Sequence, residues 1–98
     1  MGSSMKGAAF LIESRMAAAA RGDAKACFEL GIAYSAGTGG VEVDFVEAHK
    51  WFNLSALRGN IRAQECRAEV AEEMSAREIA EAQRQARAFL AATTRQAA

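Results

Sequence analysis

The chain is 98 residues long, with twelve basic and twelve acidic side chains, one histidine, no proline and 24 alanines. That length holds one small domain, which buries roughly two thirds of its unfolded surface, enough for a modest core and too little for a deep catalytic cavity. Balanced charge argues against nucleic acid or an anionic membrane surface as partner. No apolar run nears the roughly 18 residues that cross a bilayer, and a 51% hydrophobic content excludes a wholly disordered chain.

Met1-Gly-Ser-Ser followed by Met5 reads like a vector-derived start, so residues 1–4 are set aside and 5–92 are read as a single helical domain. No basic segment followed by a long apolar stretch, the mark of a secretory signal, is legible. Glycines at 22, 37, 39, 40 and 59 cut the chain into helix-sized pieces. They predict helices over Lys6–Arg21, Asp23–Ser35, Asp44–Arg58, Ile61–Met74 and Ala76–Ala92, with an alanine-rich tail at 93–98 that frays. Asp44 with Glu47, and Ser75 with Glu78, have capping-box spacing, and Asn60 is placed to cap the fourth helix. Apolar spacing is helical throughout: Ala26, Leu30, Ala33 and Tyr34, then Phe45, Ala48, Phe52 and Ala56, then Ile79, Ala82, Ala86, Phe89 and Leu90. Val41 and Val43 are read as loop residues. The class is all-α.

Shifted by 37 residues against itself, the chain places Ala19, Arg21, Gly22, Asp23 and Ala26 on Ala56, Arg58, Gly59, Asn60 and Ala63. The same joint occurs twice: a helix end, a glycine stop, a polar cap and an alanine in the next helix. A period in the high thirties with two helices per unit is the mark of a helical solenoid. Small residues let antiparallel helices approach while a large neighbour fills the gap.

These residues resemble the Sel1-like repeats, relatives of the tetratricopeptide repeats. Ala26, Leu30, Gly31, Tyr34, Gly37, Gly39, Val41 and Asp44 stand at the first-half positions, and Ala48, Trp51, Phe52, Ser55, Ala56 and Gly59 at those of the second half. One complete unit runs over about 22–59, with Gly40 as an additional turn residue. Met5 to Arg21 resembles the second helix of a preceding unit. Asn60 to Met74 resembles the first helix of a following one, although Arg67, Ala68 and Ala71 stand where leucine-glycine and tyrosine are expected, and Ser75 to Leu90 looks like a capping helix. The resemblance implies a right-handed α/α superhelix of about five helices. Some members staple each repeat with a disulfide; Cys27 matches the first cysteine position, while the partner position near Ala56 carries no thiol.

Candidate chemistry is sparse. Cys27 and Cys66 are too few for a zinc site and read as two packing residues, with a single bridge as the alternative. His49, beside Lys50, reads as a solvated residue with no catalytic partner spaced to it. Gly37 to Gly40 lacks the lysine and preceding strand of a phosphate loop. Glu72 and Glu73 are adjacent and point apart on a helix. Trp51 reads as core.

No catalytic residue, metal site or cofactor is expected. A stripe of Lys25, Phe28, Ile32 and Ser35 lies opposite Ala26, Leu30 and Ala33 on the second helix, its apolar members either free for contact or covered by the neighbouring half-repeats or the fifth helix. First helices of solenoid units line the concave, partner-binding surface. The expected function is therefore a small, bacterial-type protein-interaction module, an adaptor or regulatory scaffold. It would bind a protein or peptide through Lys25, Phe28 and Ile32, joined by Arg62, Glu65 and Glu69 on the fourth helix. The alternative is a self-associating structural element, a homo-oligomer or a fragment of a longer array whose half-repeats dock on copies of themselves.

Overall fold

The computed structural model describes residues 2–97, with backbone alone for residues 2–6, 8, 96 and 97. Five helices follow one another: α1 (Gly2–Ala20), α2 (Ala24–Ala36), α3 (Phe45–Leu57), α4 (Ile61–Ala71) and α5 (Ala76–Ala97). α1 extends into the residues set aside as a vector-derived start, and α5 continues through the tail expected to fray, as far as Ala97. Alanine and glutamine beyond Leu90 favour helix, and nothing there stops it. Met1 and Ala98 lie outside the described residues.

The doubled joint is the same structure twice. After α1, Gly22 N–H donates to Ala19 O at 3.0 Å and Asp23 N–H to Ala18 O at 3.1 Å. After α3, Gly59 N–H donates to Ala56 O at 3.0 Å and Asn60 N–H to Ser55 O at 3.1 Å. Both glycines take positive φ, +89° and +101°, as a residue closing a helix end in the left-handed region must. Asp23 Oδ1 then accepts from Ala26 N–H and Asn60 Oδ1 from Ala63 N–H, at 3.1 and 3.2 Å. The 37-residue offset therefore reproduces stop, cap and restart, bond for bond.

The two predicted capping boxes differ. At α5 the box is reciprocal: Ser75 Oγ accepts from Glu78 N–H at 3.1 Å and Glu78 Oε1 from Ser75 N–H at 2.8 Å. At α3 only half of it forms, since Asp44 Oδ1 accepts from Glu47 N–H while Asp44 N–H is taken by Tyr34 O at 2.9 Å. Glu47 is drawn forward instead, accepting from Trp51 Nε1 at 2.9 Å and pairing with Lys50 at 3.1 Å. That bond satisfies the indole of a residue only 2% exposed.

α3 is the central element, packed by α2, α4 and α5, while α1 packs chiefly on α2. It carries two apolar flanks. Trp51 and Leu54 join Ala19, Ala26, Cys27, Leu30 and Ala86, with Phe89 and Leu90 of α5 against them. Trp51 and Phe89 meet edge to face at 5.1 Å. The other flank, Ala48 and Phe52, joins Ala63 and Val70 of α4. Between the flanks Ser55, fully buried, donates its hydroxyl to Ala24 O at 2.7 Å and ties α3 to the start of α2. The α2–α3 contact is close because Gly31 has no side chain: the Phe52 ring occupies the place a Cβ would take.

Candidate partner-binding groove

The flank of α3 facing α4 is incompletely covered. α4 is the shortest helix, and its buried positions are Ala63 and Val70. Between α2 and α4 this leaves an open groove of about 260 Å³, lined by Ile32, Ser35, Phe45, Phe52, Cys66, Glu69, Val70 and Glu73. Phe45, Phe52 and Val70 supply its apolar surface, and Ile32 is 40% exposed. The two carboxylates come from the last turn of α4 and the turn after it. The Ser35 hydroxyl is engaged within its own helix, donating to Ile32 O at 3.0 Å.

Of the residues singled out from the sequence, Ile32 and Glu69 line this groove, as does Ser35 of the same stripe. Lys25, Arg62 and Glu65 are exposed but do not line it. Phe28 is half-buried, its ring 5.7 Å from that of Phe52, so it supports the floor instead of standing as a free contact. Phe45, Phe52, Cys66, Val70 and Glu73 were not singled out for binding, Phe52 having been read only as a structural signature residue. Their signal is helical spacing: Cys66, Glu69, Val70 and Glu73 follow the three-and-four pattern of one helix face.

Of the remaining reactive groups, His49 and Cys27 are withdrawn from solvent and Cys66 is partly exposed. His49, read from the sequence as solvated, is 4% exposed, and its Nδ1 has no hydrogen-bond partner among the described residues. Packing on three sides of α3 leaves little of that helix in water. Burial, helped by the Arg67 charge, holds its pKa below the ordinary histidine value. Arg67 itself is engaged with Asn53 Oδ1. Cys27 and Cys66 are both free thiols. Burial pushes Cys27 up to about 11, and burial together with Glu69 also raises Cys66, so neither is an activated nucleophile. Among the described residues no cluster of His, Cys, Asp or Glu is placed to hold a metal ion, and no helix is long and apolar enough to cross a membrane.

Residues 24–60 match the family model of the Sel1 repeat, a span of a little over a third of the chain that runs from the first residue of α2 to the cap of α4. The all-helical architecture agrees with a Sel1- and tetratricopeptide-like helical repeat fold. Such repeats are in general protein–protein interaction modules, and proteins built from them are typically non-catalytic scaffolds. Neither a curated protein nor a solved structure matches the chain.

Proposed function

Taking as premise a chain that carries a Sel1 repeat over residues 24–60, we propose that it is a non-catalytic adaptor or regulatory scaffold that receives a segment of a protein partner between α2 and α4. The observation that carries this reading is the groove itself, an aromatic and aliphatic surface left open between the first helices of two successive units. An apolar centre with a polar edge is the anatomy of a protein interface. At about 260 Å³ the groove is smaller than the ~300–1,000 Å³ of sites for drug-sized ligands and suits one or two side chains of a peptide. Its polar groups form no nucleophile–base pair: a hydroxyl bonded within its helix, a thiol of raised pKa and two carboxylates. Lys25, Arg62 and Glu65 extend the contact beyond the groove.

The test compares proteins captured by the immobilised chain with those captured by an Ile32→Asp variant whose helix content is unchanged. Ile32 is exposed enough to change without disturbing the core, so the partner is lost and the fold is kept. An identical captured set from both would sink the reading.

Self-association is the second reading, favoured by a different surface. Phe10 is 71% exposed and Leu11 43% exposed on α1, a second-helix half-unit packed mainly on one neighbour. The accessible surface of 6109 Å² also exceeds the roughly 5,400 Å² expected of a compact chain of this mass. Sedimentation at rising concentration should then show an oligomer that Phe10→Ser disperses. A monomer at every concentration rejects it.

A further inference from the structure

We infer that the groove takes a basic-apolar peptide, a segment in which lysine or arginine flanks an apolar side chain; the inference rests on the groove being a docking site. Eight residues line it, among them two carboxylates, Glu69 and Glu73, and no cation. Neither carboxylate makes a side-chain hydrogen bond or ion pair among the described residues, a state they share with other surface glutamates such as Glu65 and Glu72, so both are open to a cation from a partner; what sets them apart is their place on the groove. The negative charge is local, because the chain as a whole carries a formal net charge of zero. Burial raises the Cys66 thiol first, and Glu69 adds to the rise, partly opposed by the charge of Arg62 outside the groove.

These facts select among occupants. An acidic segment would bring like charges together, and a wholly apolar one would gain nothing from the two carboxylates at the edge. A basic-apolar segment satisfies both parts. Its apolar side chain lies on Phe45, Phe52 and Val70, and an adjacent ammonium or guanidinium group meets Glu69 or Glu73. Because the carboxylates sit at the edge in contact with water, the charged contribution is screened by salt and the apolar one is not.

The experiment titrates the ¹⁵N-labelled full chain with three heptapeptides, glycine-flanked around Lys-Leu-Lys, Glu-Leu-Glu or Lys-Gly-Lys, and follows backbone amide shifts. The Lys-Leu-Lys peptide is expected to move the amides of Ile32, Ser35, Cys66 and Val70. It should bind at least about tenfold more tightly than either control, with an affinity that falls as salt rises. Glu69→Gln with Glu73→Gln should remove the preference for lysine over glutamate while the circular dichroism stays unchanged. If Glu-Leu-Glu binds as tightly, or binding to Lys-Leu-Lys is insensitive to salt, the charge assignment is overturned and the docking reading stands. If none of the peptides moves these amides at millimolar concentration, both fall.

Discussion

Replacing Gly31 with alanine sets two physical effects against each other. In an open helix the change stabilises, because alanine is favoured over glycine by ~1 kcal/mol. At this position the added Cβ would stand 2.5 Å from Phe52 Cδ1 and Cε1 and 2.9 Å from Cγ. Those atoms are not the far end of a flexible side chain; the ring is 1% exposed and held against Phe28, Ala48, Ala63 and Val70. Forcing a methyl group into a packed core costs about 1–3 kcal/mol. With the propensity gain subtracted, Gly31→Ala should give no net stabilisation and destabilise by up to about 2 kcal/mol, a fall of up to roughly 16 °C in Tm for a chain this size. Urea unfolding followed at 222 nm measures it. Gly7→Ala on α1 is the control: its Cβ meets nothing within 4 Å, so only the stabilising effect should appear. A double-mutant cycle sharpens the test. In a Phe52→Leu background the clash is relieved, so the cost of Gly31→Ala should shrink or change sign. If Gly31→Ala stabilises the native protein as much as Gly7→Ala does, the close approach of α2 and α3 described above is wrong.

Other consequences are equally direct. His49 has a folded-state pKa below its usual 6.5, so in acid the unfolded chain binds a proton that the folded chain refuses. Stability is therefore full above pH ~6.5 and declines as pH falls toward the folded-state pKa, and His49→Gln should remove that part of the slope in a series of urea midpoints. Thiol labelling of the native chain should modify Cys66, which is partly exposed, well before Cys27, which is 2% exposed with its pKa at about 11; mass mapping that finds Cys27 modified first would contradict the packing of α2. Ser75→Ala breaks the reciprocal box at α5 and should cost about 1 kcal/mol, read from the urea midpoint.

What was legible in the sequence was local. Glycine stops, polar caps and the three-and-four spacing of apolar residues place all five helices, because each signal acts within one or two turns. The 37-residue offset worked for the same reason: the joint at Gly22 and that at Gly59 are closed by bonds to residues three to five positions back. Legibility fails where burial is decided by distant elements. His49 looks solvated beside Lys50 until α3 is seen wrapped by three helices. Whether Phe28 is free or covered is open in the sequence, and is decided only when Gly31 lets Phe52 approach and the two rings meet. The groove was half visible, through Ile32, Ser35 and Glu69. Phe45 and Val70 were missed because they come from helices whose relative placement no local pattern encodes, and the loss of the repeat signature at Arg67, Ala68 and Ala71 removed the guide to α4.

The groove also follows from an unequal division of labour around α3. The long α5 brings Phe89 and Leu90 to the Trp51 flank, whereas the short α4 offers Ala63 and Val70 to the Phe52 flank. A gap formed this way could be a packing deficiency with no use, or a surface kept open for a partner. Ser35→Leu separates the two. Ser35 is half-buried on the groove wall, and its hydroxyl bonds only the carbonyl of Ile32. Leucine there improves helix propensity and covers the neighbouring rings, a gain of about 1 kcal/mol. If the groove is a docking surface, the variant should be more stable in urea and lose the partner captured by the native chain, the trade expected when stability is withheld at a functional site. A variant that gains stability and still captures the partner would show that the open flank of α3 is a defect and that binding takes place elsewhere.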